Sequence, residues 1–140
     1  MKVRIELPVQ FRDIDRMGHV NHAVYLQYME TARVELARRL GMIRDASSSS
    51  FIVATAHVEY KKPIRNERYV TVSCWASRIG ERSWDLDYTV SGSVMVLFAI
   101  GRTTQVGYDY DTRSTARISQ KFRKRLGKYA GKPLRFRAAQ

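Results

Sequence analysis

Long apolar runs are missing from this chain of 140 residues. A helix that crosses a bilayer needs about 20 consecutive apolar residues, and no segment approaches that. The opening MKVRIELPVQ also lacks the apolar block of a secretion signal, so a soluble, cytoplasmic protein is expected. Cysteine is nearly absent. Cys74 stands alone, which excludes an internal disulfide and gives no support to a thiolate metal site. Its place in an alternating pattern marks it as a packing thiol. Acidic residues are missing from one region only: positions 112–140 hold ten Lys and Arg and no Asp or Glu. The net charge of +12 is therefore almost entirely a C-terminal property. Such a surface attracts phosphates on a cofactor, an acidic carrier protein or a nucleic acid, or is simply a solvated helix face.

The length suits one domain with a sizeable core. Tyr25, Met29, Ala32, Leu36 and Leu40 recur at helical spacing, which predicts one long helix. Val24, Tyr28 and Val34 lie elsewhere on its surface, as expected of a helix wrapped on several sides. Asn21 is suited to cap its start and Gly41 to stop it. The serines from Ser47 to Ser50 read as a connector.

Strand signals surround the helix. Residues 3–11 predict a first strand interrupted near Pro8. After the connector the period becomes two: Ile52, Ala54, Ala56, Val58 and Tyr60, then Val70, Val72, Cys74 and Ala76, then Trp84, Leu86, Tyr88 and Val90. Val94 to Ile100 is apolar throughout, as in a strand covered on both faces. Short turns at 63–67, 80–82 and 92–93 imply antiparallel neighbours. The expected class is α+β, with residues 1–112 as the domain. Residues 113–140 form a basic segment that either belongs to the same domain or is a partly ordered tail. Ile118, Phe122, Leu126 and Tyr129 give it a thin apolar stripe.

Chemistry concentrates in FRDIDRMGHVNHAVYLQYMETARVE, Phe11 to Glu35. Asp13 and Asp15 end a strand, Gly18 permits a turn, and the helix behind Asn21 presents free N–H groups and a partial positive charge. A carboxylate facing such amides is the pair that acyl transfer needs. His57 and Glu59 have no second His or Cys at ligand spacing, so no metal is assigned.

Asp13, Asp15, Gly18, His19, Val20, Asn21, Tyr25, Tyr28, Glu30, Ala32 and Arg33 fit the pattern D-x-D-x-x-G-H-V-N-x-x-x-Y followed by Y-x-E-x-A-R. In this the chain resembles the hotdog-fold acyl-CoA thioesterases of the 4-hydroxybenzoyl-CoA thioesterase type. The resemblance continues through Pro63-Ile64, Ile79-Gly80 with Ser83, and Gly101-Arg102-Thr103. It implies a curved five-stranded antiparallel sheet around one long central helix, and hydrolysis of an acyl-CoA to free acid and coenzyme A. By the same resemblance Asp15 is the nucleophile or general base, and the His22 N–H is the oxyanion donor. Gly18, His19 and Asn21 shape the entry, and Tyr25 lines the acyl channel or the core. Arg82 and Ser83 meet the nucleotide end of coenzyme A, with Arg65, Arg78 and Arg113 as further sources of charge. Asp13 holds the turn or pairs with Arg12 or Arg16, and Glu30 pairs with Arg33 or a neighbouring chain. Coenzyme A is then part of the substrate rather than a cofactor, and a homodimer or homotetramer is expected. An acyl carrier protein docked on the basic C-terminus is an alternative substrate carrier. A non-catalytic module using that segment on nucleic acid is a weaker rival. The acyl group is open: Tyr25, Trp75 and Trp84 suit an aryl pocket or a core.

Overall fold

A computed structural model describes residues 1–42 and 50–137. The chain forms β1 (Val3–Pro8), α1 (His22–Arg39), β2 (Phe51–Tyr60), β3 (Tyr69–Ile79), β4 (Ser83–Ser91), β5 (Leu97–Asp109), the two-residue β6 (Ser114–Thr115) and α2 (Gln120–Gly127). The strands run antiparallel in the order β1-β3-β4-β5-β2, with β6 paired to the end of β5. The sheet curls around α1 in the hotdog arrangement. Of the connector serines, all but Ser50 lie outside the described residues.

Local chemistry sets the frame. The side chain of Asn21 accepts a hydrogen bond from the Ala23 N–H and caps α1. Gly41 ends it with φ +79°, in the left-handed region where glycine is least strained. Tyr25, Tyr28, Met29, Ala32, Leu36 and Leu40 are buried against Val70, Val72, Cys74, Leu86, Tyr88 and Val90, which point inward from β3 and β4. The expected face of the helix is thus the buried one. Off that face Tyr28 is buried and Val24 is partly buried against the core, as expected, while Val34, like Leu26, is exposed.

Three expectations about strands are corrected. The first strand stops at Pro8, and Phe11–Asp13 form a 3-10 turn. In β2 a bulge between Val53 and Thr55 breaks the alternation. That strand also lies at the sheet edge, so Ile52, Val53 and Tyr60 remain exposed. The apolar run from Val94 to Ile100 is not one covered strand. Val94 and Met95 stand in the turn, and burial begins only at Phe98.

The C-terminal segment crosses the outer face of the sheet. Phe122, Leu126 and Tyr129 enter the core. Ala76 then donates its N–H to the Tyr129 carbonyl and accepts from the Gly131 N–H, each at 2.8 Å. The Trp75 indole donates to the Lys132 carbonyl at 2.9 Å. Buried Asp87 accepts from the Leu134 N–H at 2.8 Å, and Glu59 from the Arg137 N–H at 2.7 Å. The segment therefore passes over β3, β4 and β2 in turn.

Candidate active site

The loop before α1 is built by two carboxylates with different partners. Buried Asp13 accepts from the Gln10 N–H at 2.8 Å and from the Tyr28 hydroxyl at 3.0 Å, while its carbonyl accepts from the Asn21 N–H at 2.8 Å. It pins the strand end to the helix start. The expected partners Arg12 and Arg16 take no part among the described residues. Burial, followed by the bond to Asp13, holds the Tyr28 phenol well above its ordinary pKa.

Asp15 is half-exposed. Its Oδ1 accepts from the Met17 N–H at 2.9 Å and, more weakly, from the His19 N–H at 3.4 Å. Its N–H donates to the His19 carbonyl and its carbonyl accepts from the Gly18 N–H. Gly18 closes this loop at φ +78°, which favours glycine. Among the described residues Oδ2 of Asp15 accepts no hydrogen bond. One oxygen fixes the carboxylate and the other is left without a donor among the described residues.

His19 is half-buried in the same loop, and its Nε2 is buried without a hydrogen-bond partner among the described residues. His22 opens α1 with an exposed side chain. No acceptor for its N–H is present among the described residues, as expected of a first-turn amide. Its carbonyl accepts from the Tyr60 hydroxyl at 2.9 Å, and the two rings meet edge to face with centroids 6.5 Å apart. In the sequence Tyr60 is only the last apolar position of its strand pattern. No local signal announces a bond between residues 38 positions apart. Tyr25 is buried in the core, edge-on to Tyr60 at 4.9 Å, and burial raises its phenol pKa. Within one chain it presents no surface to a ligand.

Arg82 and Ser83 are not brought to this place. They lie at the β3–β4 turn, near the other end of α1, where Arg123 donates to the Gly80 carbonyl and Arg125 to the Leu40 carbonyl. The 18 residues of α1 put roughly 27 Å between its ends. Arg82 donates to the Thr115 carbonyl at 3.2 Å, and Ser83 accepts from Arg78 at 2.8 Å. Arg78 also grips Asp85 at 2.9 and 3.0 Å, so its charge is already engaged. Arg65 is exposed near the start of α1, and Arg113 is exposed beside β6.

A second polar group lies deeper and was not foreseen. Arg33 donates to the Tyr88 hydroxyl at 3.2 Å, that hydroxyl meets Thr103 at 2.7 Å, and Thr103 donates to Gln105. Arg33 stands 3.8 Å from the exposed Glu30 carboxylate. A groove of about 400 Å³ runs between α1 and the free edge of β2, lined by Glu30, Arg33, Val34, Phe51, Ile52 and Tyr110 among others. Another cavity of about 320 Å³ lies against Trp84, Ile118 and Phe122. Neither includes Asp15 or His22. Among the described residues no three His, Cys, Asp or Glu side chains gather as metal ligands would, and no helix is long and apolar enough to cross a membrane.

Comparison with known proteins places the fold in a family. Residues 9–126 match the model of the thioesterase-like superfamily. A crystal structure of a thioesterase from Thermus thermophilus, complexed with coenzyme A and Zn, is similar with a TM-score of 0.80 and 30% identity over 94% of this chain and 96% of that one. A predicted thioesterase from Bacillus stearothermophilus shares the fold with a TM-score of 0.87 at 20% identity, over 95% of this chain and 99% of that one. YneP of Bacillus subtilis (strain 168), for which acyl-CoA thioesterase activity has been proposed, is 32% identical over 73 residues, 50% of this chain and 53% of that protein. The chain thus spans about half the length of the curated relatives it matches.

Proposed function

Because the chain belongs to the thioesterase-like superfamily, we propose that it hydrolyses an acyl-CoA thioester to the free acid and coenzyme A at the start of α1. The observation that carries this reading is the unbonded Asp15 oxygen in the loop that leads into a helix whose first N–H, that of His22, has no acceptor among the described residues. Asp15 acts as the base towards water or attacks the thioester carbon itself. In the first route Asp15 takes a proton from water, and the hydroxide adds to the carbonyl carbon. The carbonyl oxygen becomes negative against the His22 N–H. The intermediate then collapses with cleavage of the C–S bond, and the departing thiolate receives a proton from Asp15 or solvent. In the second route an Asp15 oxygen adds to the carbonyl carbon, the C–S bond breaks and the coenzyme A thiolate departs, and water then cleaves the mixed anhydride to the free acid and the Asp15 carboxylate. A donor of the His22 kind contributes about 2.7 to 4 kcal/mol of transition-state stabilisation. The coenzyme A held by the similar Thermus protein supports this substrate class.

The substrate reading extends to a homodimer. Among the described residues β2 has one unpaired edge, and Leu26, Val34, Ile52 and Val53 are exposed beside it. Two copies joined at β2 by a two-fold axis pair those strands antiparallel. The β3–β4 turn of each copy then lies towards the loop before α1 of the other, which is how Arg82 and Ser83 come to serve a site that contains Asp15.

Asp15→Asn is the deciding experiment, because the amide oxygen still accepts from the Met17 N–H and keeps the loop. Circular dichroism stays unchanged while turnover falls by orders of magnitude. Unchanged turnover across short, long and aryl acyl-CoAs refutes the assignment. A carrier-protein substrate is the second reading, favoured by exposed Lys121, Lys124, Arg125 and Lys128 on α2. Deleting the segment would remove Phe122 and Leu126 from the core, so charge reversal is the sound test. Lys121→Glu with Lys124→Glu slows carrier-linked turnover and spares small acyl-CoAs if this reading holds.

A further inference from the structure

The end of the molecule from which α1 starts carries apolar side chains where solvent should be. Phe11 is 96% exposed, Met17 74%, Val94 81% and Met95 94%. They occupy two loop tips. Met95 has φ +54°, a conformation uncommon for a side chain of its size, so neither its backbone nor any packing within the chain accounts for a methionine there. The two tips belong to one end of the molecule, linked through the loop after β2. Val20 donates its N–H to the Ile64 carbonyl, Val9 donates to the Arg68 carbonyl, and the Ser93 hydroxyl approaches Glu67 at 3.4 Å.

The same loops carry Arg12, Arg16, Lys62, Arg65 and Arg68, all exposed and none in an ion pair among the described residues. The acids nearby are fewer: Asp13 is buried, Glu67 meets Ser93, and Asp15 is half-exposed with one oxygen holding its own loop. This end is therefore a set of apolar tips surrounded by cations in excess of exposed acids. The tip at 94–95 is separate from the flank formed by α1 and the edge of β2, because it joins β4 and β5 inside the sheet.

We propose that this end docks on an anionic lipid surface, with Phe11, Met17, Val94 and Met95 entering the boundary between headgroups and acyl chains and the cations meeting lipid phosphates. The mixture selects this partner. A lipid interface offers an apolar layer beneath an anionic one. A nucleic acid duplex offers the charge, but its phosphate surface gives the tips no apolar layer to enter. A second copy docked by a two-fold axis through this end would bring its own cations against these. Docking also places the loop of Asp15 at the membrane surface, where acyl amphiphiles accumulate.

Flotation of the full chain with vesicles tests the proposal, using phosphatidylcholine alone and phosphatidylcholine mixed with phosphatidylglycerol. The protein binds the mixed vesicles and releases from them as salt rises. Met17→Ser with Met95→Ser weakens binding about tenfold per tip, and Arg65→Gln with Arg68→Gln about fivefold per charge. Lys121→Gln with Lys124→Gln on α2 leaves most of the binding in place. Absence of binding to the mixed vesicles overturns the proposal. So does binding unchanged by the tip variants, which is adsorption by charge alone. A fall in oligomer size caused by the tip variants assigns the tips to contacts between copies and also overturns it. Vesicle binding is read with no thioester present, so its failure leaves the hydrolysis reading standing.

Discussion

Asp87→Ala is expected to loosen the C-terminal segment and to cost about 3 to 5 kcal/mol of stability. Asp87 is fully buried on the outer face of β4. Its carboxylate accepts from Arg102 at 2.7 and 2.9 Å, from the Ser77 hydroxyl at 2.8 Å and from the Leu134 N–H at 2.8 Å. Arg102 in turn donates to the Leu134 carbonyl at 3.2 Å. Removing the carboxylate leaves the Arg102 guanidinium beneath the covering segment with only Asp85, already held by Arg78, as an opposite charge, which costs more than the pair itself contributes. In a chain of 140 residues this lowers Tm by roughly 10 °C. Urea unfolding gives the energy, and limited proteolysis gives its location, because cleavage should appear within residues 130–137 while the strands stay resistant. Replacing both partners, Asp87→Leu with Arg102→Met, should be milder than Asp87→Ala alone. A loss below about 1 kcal/mol, or a protected C-terminal segment in the single variant, refutes the account of this latch and of the segment as integral to the fold.

Tyr28→Phe leaves the buried Asp13 carboxylate with the Gln10 N–H alone and should cost about 1.5 to 3 kcal/mol; an unchanged denaturant midpoint contradicts this. Stability should fall in alkali. The phenols of Tyr25, Tyr28 and Tyr88 are raised in the folded chain, chiefly by burial, against about 10 when unfolded. Their contribution is complete below pH 10 and is lost as pH rises beyond it, by about 1.4 kcal/mol per pH unit for each fully protected phenol. Tyr28→Phe should make the fall between pH 10 and 11 shallower in denaturant titrations, and an identical slope removes Tyr28 from the explanation. Leu26→Lys with Val34→Lys should yield monomers by sedimentation and reduce turnover together with dimer content. A dimer of undiminished affinity places the interface elsewhere.

Much of the frame was legible because burial repeats at a fixed period. The spacing of Tyr25, Met29, Ala32 and Leu36 set the inward face of α1, and Asn21 and Gly41 marked its limits for reasons of cap chemistry. Of the candidate site only the local loop was legible: Asp15, Gly18, His19, Asn21 and His22 lie within eight residues, and a tight turn bonds Asp15 to Gly18 and His19. Contacts between distant segments were not. Asp87 alternates between Leu86 and Tyr88 like any solvent-facing strand residue, and only the later passage of Leu134 over it makes it buried. Residues 128–137 have no period of their own, since they bond one by one to Ala76, Trp75, Asp87 and Glu59. The exposure of Ile52 and Val53 was likewise hidden, because a bulge and an edge position are properties of strand pairing.

The proposed homodimer rests on where the fold leaves its unmatched groups. Asp15 and the His22 N–H stand at one end of a helix roughly 27 Å long, and the β3–β4 turn stands near the other. A single chain cannot shorten that distance, because the buried face of α1 fixes it against β3 and β4. Its free flank carries an unpaired strand edge, exposed aliphatic side chains, and Arg33 with only a distant carboxylate. An unpaired edge of this length invites another strand. Pairing by a two-fold axis covers the edge and reverses one helix against the other, so a single association answers both the packing defect and the separation of the proposed catalytic and nucleotide-binding ends. Loss of hydrolysis in a folded monomer would then arise from a site left half-built, with Asp15 itself unmoved.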